Sequence, residues 1–99
     1  MIDSISMKDF FELTQQEDLR IIDVREADEY QAGHVPSAKN LPLSNLQNTM
    51  AELDSDNKYY FICQSGARSG NACVFLVGQG YQVVNVTGGT AAWPGKLTR

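Results

Sequence analysis

Strand-like and helix-like segments alternate along the whole of this chain, and its most compact strand candidate is apolar on both faces. That candidate is Arg20-Ile21-Ile22-Asp23-Val24, rich in β-branched residues. A strand with one wet face alternates apolar and polar side chains, whereas one covered on both faces reads as a near-continuous apolar run. The segment therefore suits the centre of a parallel sheet. Strand alternating with helix puts helices on both faces of that sheet, so an α/β class is expected.

The remaining segments fill in this plan. A short strand is expected over residues 2–5. Ser6 and Asp9 have the spacing of a capping box, with Asp in place of the usual Glu, and Met7, Phe10, Phe11 and Leu13 form a helical stripe behind them. Residues 26–31 read as a short helix closed by Gly33, and Pro36 forces a turn before a short strand at 38–41. Ser44 and Gln47 repeat the capping-box spacing. Leu43, Leu46, Met50 and Leu53 recur at three and four residues, which predicts an amphipathic helix. A polar turn at 54–57 leads into Lys-Tyr-Tyr-Phe-Ile-Cys, residues 58–63, the clearest strand in the chain. A helix from residue 68 or 69 to 79, closed by Gly80, and a strand at 83–86 follow. Gly88-Gly89 then open a short helical turn ending near Trp93-Pro94. There is no repeat, linker or low-complexity segment.

Composition narrows the function classes. At 99 residues the chain fits one domain spanning 1–99, long enough to bury about two-thirds of its unfolded surface. Apolar residues make up 42% and charged residues 20%, as in ordinary globular proteins. Eight basic against twelve acidic residues give a net charge of -4, with no run of Lys or Arg, so no nucleic-acid partner is expected. The start, Met-Ile-Asp-Ser, does not resemble a signal peptide. The longest apolar stretch, 72–77, is too short to cross a bilayer, and the expected location is the cytoplasm. Cys63 and Cys73 are too few for a disulfide framework, and their spacing is not that of a metal clip. Two free thiols, no metal and no cofactor are expected, and a monomer is the default.

Ligands of open parallel sheets bind beyond the carboxyl ends of the strands. Cys63 ends a strand there and opens the loop Cys63-Gln64-Ser65-Gly66-Ala67-Arg68-Ser69, which feeds a helix. Small residues let the backbone curl and aim several N–H groups inward, a nest that binds anions. The helix adds its positive end, Gly66 permits a turn closed to other residues, and Arg68 adds a planar fork of donors. Such surroundings lower a cysteine thiol below its ordinary value of about 8.5. A thiolate attacks sulfur, and the resulting persulfide is an anion that the same cradle can hold. Cys73, inside an apolar helical run, reads as inert core.

Three segments now carry a resemblance. Residues 22–26 with 29–42, Ile-Asp-Val-Arg-Glu and Glu-Tyr-Gln-Ala-Gly-His-Val-Pro-Ser-Ala-Lys-Asn-Leu-Pro, resemble the N-terminal signature of the rhodanese family. The Cys63 loop and Gly88-Gly89 with Trp93 resemble the family's other two patterns. The resemblance covers nearly the whole chain. It implies a three-layer α/β/α rhodanese-like fold with a five-stranded parallel sheet. It also implies a thiosulfate sulfurtransferase (rhodanese-type) activity through a persulfide on Cys63, needing no cofactor. The partners so implied are a small anionic sulfur donor and a thiol, cyanide or protein-thiol acceptor.

Carried over residue by residue, the cradle is formed by Gln64, Ser65, Gly66, Ala67, Arg68 and Ser69, with Arg68 as the anion contact. Asp23 and Arg25 support the site. His34 reads as a structural residue before Pro36, and Trp93 as core. Ser37 departs from the family, which often has Gly there. Two rival readings belong to the same fold. Related phosphatases and arsenate reductases use a larger loop, with five residues between Cys and Arg where this chain has the four from Gln64 to Ala67. A non-enzymatic binding module of the same fold would commonly lack the cysteine.

Overall fold

The computed structural model describes residues 2–99. Among them are five strands, β1 (Asp3–Ile5), β2 (Ile21–Asp23), β3 (Lys39–Asn40), β4 (Lys58–Ile62) and β5 (Gln82–Val86). Four α-helices accompany them, α1 (Met7–Thr14), α2 (Ala27–Ala32), α3 (Leu46–Thr49) and α4 (Ala67–Gly78). The strands form one parallel sheet in the order β1-β5-β4-β2-β3. Asp23 of β2 stands opposite Ile62 of β4, and Tyr60 of β4 opposite Val84 of β5.

Side chains of a strand alternate between faces, and β4 shows what that alternation builds. Tyr59, Phe61 and Cys63 join a core cluster with Leu46 of α3 and Ala72, Cys73 and Leu76 of α4. Tyr60 and Ile62 join a second cluster with Phe10 of α1, Val84 and Val86. The sheet is thus covered on both faces, as the three-layer α/β/α expectation required. Burying a side chain the size of Phe61 of β4 or Leu76 of α4 contributes about 1.5–3 kcal/mol, so the packing of α4 on the central strands is a main source of stability.

Local signals explain most of the element ends. The Ser6 hydroxyl accepts from the Asp9 amide at 3.2 Å and starts α1. Glu26 caps α2, and the Glu29 carboxylate reaches back to the Glu26 amide at 3.0 Å. The 54–57 turn closes through the Asn57 amide and the Asp54 carbonyl at 3.0 Å. Strand β2 is shorter by one residue at each end than its apolar run, as is common where strands fray.

The amphipathic helix expected over 43–53 is not continuous. The chain makes a 3-10 turn at Leu43–Asn45, the single α-turn of α3, and a second 3-10 turn at Met50–Glu52. The anticipated Ser44 cap does not form, because the Ser44 hydroxyl donates to Glu26 Oε1 at 2.7 Å. Asn45, at φ -122° and ψ 11°, breaks the helical path. The apolar spacing still places Leu46 and Leu53 in the first cluster, with Leu43 and Met50 packed against it. Residues at i and i+3 share a face in both helix types, so the pattern was satisfied without one helix.

Ser37 has φ +74°, a left-handed conformation rarely adopted by a residue with a side chain. A glycine would adopt this conformation without strain. No helix among the described residues is long and apolar enough to cross a membrane.

Candidate active site

Strand β4 delivers Cys63 one residue past its last rung, at the carboxyl edge of the sheet, and α4 begins four residues later. The loop between them is pinned from the turn that follows β5. The Thr90 amide and hydroxyl donate to the Cys63 carbonyl at 2.8 and 3.2 Å, and the Ala91 amide donates to the Gln64 carbonyl at 3.1 Å. Gly89, at φ +61°, makes this approach possible. A Cβ there would overlap the Cys63 and Gln64 carbonyls.

Cys63 is fully buried. Its Sγ accepts from the Gly66 amide at 3.0 Å and lies 3.4 Å from the Ser69 hydroxyl. Burial alone pushes the thiol up. The Ser69 hydroxyl and the amides of Ser69, Gly66 and Ser65 outweigh it, so the thiol sits below its ordinary value. Gly66 caps α4 at φ +105°, the turn that aims these amides at the sulfur. Cys73 has the same burial without the donors, and its thiol is pushed up to about 12. Two buried cysteines thus differ in chemistry because one ends a strand in front of helix N–H groups and the other lies within the helix.

Asp23 and Arg25 are both buried. Arg25 forks onto Asp23 through Nε and Nη2, at 2.9–3.1 Å, donates to the Gly33 carbonyl at 2.7 Å, and reaches Gln64 Oε1 at 3.4 Å. The pair therefore ties β2 to the segment after α2 and touches the cysteine loop at Gln64. Arg68, by contrast, is half-exposed and turned to Glu29, with Nη1–Oε1 at 2.7 Å and Nη2–Oε2 at 2.9 Å. The Arg68 hydrogen bonds hold the Glu29 carboxyl down at about 2, and Glu29 in turn raises Arg68 above its ordinary value. Gln64, Ser65 and Ala67 form the exposed outer rim of the loop.

Two site neighbours escaped the sequence reading. Asn85 of β5 is buried, with its Oδ1 2.5 Å from the Ser69 hydroxyl and its Nδ2 donating to the Gly66 carbonyl at 3.2 Å. A lone amide in the apolar run Val83-Val84-Asn85-Val86 was the available signal. Thr90 is buried against the Cys63 carbonyl, and its only signal was its place after Gly88-Gly89. His34 is engaged elsewhere: its ring stacks on Tyr30 at 3.7 Å, Nδ1 lies 2.9 Å from the Tyr30 carbonyl, and its backbone pairs with Thr98. Trp93 packs edge-on against Phe10 and Phe11. Among the described residues no three His, Cys, Asp or Glu side chains converge as a metal site would need.

A cysteine loop of this shape, at the carboxyl edge of a parallel sheet of this strand order, coincides with a match between residues 6–96 and the model of the rhodanese-like domain. The chain belongs to the rhodanese-like domain family. Several of its homologues bear sulfurtransferase names. The thiosulfate sulfurtransferase GlpE of Pseudoalteromonas translucida is 37% identical over 90 residues, covering 90% of this chain and 86% of that protein. YtwF of Bacillus subtilis is 45% identical over 80 residues, covering 81% and 78%. Two further Bacillus subtilis relatives are longer, and the chain spans 52% and 63% of their lengths. Among solved structures, a rhodanese-like domain protein from Staphylococcus aureus superposes with a TM-score of 0.89 at 30% identity, covering 98% and 97% of the two chains. Family membership supports sulfurtransferase chemistry, with a sulfur donor and a thiol acceptor as its partners.

Proposed function

We propose that this rhodanese-like domain is an enzyme that carries a sulfane sulfur as a persulfide on Cys63, moving it from thiosulfate or a related donor to cyanide, a small thiol or a protein thiol. The observation that carries the reading is the environment of Sγ, a buried sulfur facing the Gly66 amide and the Ser69 hydroxyl. Donors already in place stabilise negative charge on sulfur without reorganising during reaction.

The reaction has two balanced steps. In the first, an electron pair of the Cys63 thiolate forms a bond to the outer sulfur of the donor. The donor's S–S bond breaks, and its pair leaves on sulfite, or on a thiolate when the donor is a persulfide. In the second, an acceptor nucleophile attacks the outer sulfur of the Cys63 persulfide, and the Cys63 thiolate is regenerated. The amides of Ser65, Gly66 and Ser69 hold the charge through both steps. Arg68, paired with Glu29, stands at the rim that Gln64 and Ala67 line, and Asp23 with Arg25 steady Gln64 of the loop. We read the protein as one domain over 1–99 and as a monomer, and place it in the cytoplasm, where two free thiols stay reduced.

Intact mass after incubation of the reduced protein with thiosulfate, or with a thiol persulfide, tests this. The expected result is a gain of one sulfur atom, reversed by cyanide and absent in Cys63→Ser. No gain from either donor overturns it and leaves a binding module of the same fold.

A further inference from the structure

Both arginines beside the cysteine loop are already matched by carboxylates, Arg25 by Asp23 at 2.9 Å and Arg68 by Glu29 at 2.7 Å. The four charges sum to zero, in a chain whose own net charge is -4. What remains to attract an anion to Cys63 is the set of loop amides and the N-terminal end of α4.

The Arg68 pair is built rather than incidental. It uses both terminal nitrogens, the edge an arginine presents to an oxyanion in two parallel bonds. Glu29 is held from a second side, since its Oε1 also accepts the Glu26 amide at 3.0 Å and caps α2. Its carboxyl, held at about 2 chiefly by Arg68, is charged throughout the neutral range. Arg68 belongs to the Cys63 loop and directly precedes Ser69, whose hydroxyl lies 3.4 Å from Cys63 Sγ, so the ion pair sits on the same loop as the reacting sulfur. A donor that needs the Arg68 fork must displace a fixed carboxylate, and it meets that carboxylate's repulsion in proportion to its own charge.

We infer that Glu29 is a specificity-determining residue, which withholds Arg68 from doubly charged thiosulfate and turns the Cys63 site toward persulfides of thiols. The inference rests on the reading of Cys63 as a sulfur carrier. A thiol persulfide brings at most one charge on its sulfurs. The Cys63 thiolate bonds to its outer sulfur, the donor's S–S bond breaks, and the pair leaves on the donor thiolate, so no oxidant or reductant is required.

The test measures kcat/KM for sulfur uptake from thiosulfate and from 2-hydroxyethyl persulfide in the parent, in Glu29→Gln and in Glu29→Gln/Arg68→Gln. Glutamine keeps an oxygen for the Glu26 amide, so α2 stays capped. The ratio of thiosulfate to persulfide efficiency should rise about fivefold to tenfold in Glu29→Gln and fall back in the double variant. This ratio does not depend on how much of a variant is folded. An unchanged ratio, or equal losses with both donors, overturns the role of Glu29. A parent protein that takes sulfur from neither donor overturns the carrier reading itself, which is a separate result.

Discussion

The Ser69 hydroxyl stands 2.5 Å from Asn85 Oδ1 while also lying 3.4 Å from Cys63 Sγ, so a single proton has two acceptors. Asn85 cannot turn to relieve the competition, because its Nδ2 is committed to the Gly66 carbonyl. When Cys63 is a thiol, its S–H can donate to Ser69, which donates to Asn85. When Cys63 is a thiolate, the Ser69 proton is drawn to sulfur and Asn85 Oδ1 loses its donor. Ser69→Ala removes the hydrogen-bonded hydroxyl and should raise the Cys63 thiol toward its ordinary range. Alkylation at neutral pH should slow several-fold, and thiolate absorbance followed against pH reports the shift. The sign for stability follows from linkage. A thiol lowered by folding stabilises the protein above the ordinary thiol range, and that contribution is lost as pH falls through the folded value. Ser69→Ala should therefore cost more stability at alkaline pH than at acid pH, as measured by denaturant unfolding.

Gly89 is the tightest approach in the site. Gly89→Ala would drive a methyl into the Cys63 and Gln64 carbonyls at a backbone angle hostile to side chains. Overpacking and strain together should destabilise by about 2 kcal/mol or more. Thermal unfolding would show it, and sulfur uptake should fall because the loop carbonyls lose their anchors at Thr90 and Ala91.

Ser37 offers the opposite case. With φ at +74°, Ser37→Gly removes a steric penalty in the folded chain, partly offset by the freer unfolded one. A gain of about 0.5–1 kcal/mol is expected, which is a rise in Tm of roughly 2–6 °C for a domain of this size.

Glu29 predicts an acid response. Its carboxyl is lowered from an ordinary 4.5 to about 2, so its contribution is present above pH 4.5 and is lost as pH falls toward 2. Glu29→Gln should be less stable than the parent at neutral pH. The gap should close between about pH 4.5 and 2, and urea unfolding across that window measures it.

Much of this molecule was legible in one dimension. The apolar run at 20–24, the strand at 58–63 and the alternation of strand with helix led directly to a covered parallel sheet, because both kinds of burial leave a periodic trace. Cys63 was legible because a thiol at a strand end, before a small-residue loop and a helix, has few structural excuses. Residues 43–53 show where that reasoning stops. Their apolar face was correct, yet Ser44 bonded to Glu26, a residue 18 positions away, and no local rule foresaw that.

The sequence by itself determined most of the apolar core, the order of the elements and the loop that ends β4, since propensity, capping and periodicity act between near neighbours. Only the tertiary structure decided that Arg68 faces Glu29 rather than open solvent, that Asn85 accepts from the Ser69 hydroxyl, and that Gly89 admits the loop carbonyls. These partners lie 39, 16 and about 26 residues apart. Contacts over such separations are set by sheet order and register, which bring side chains together by geometry and leave no mark on the spacing of residues along the chain.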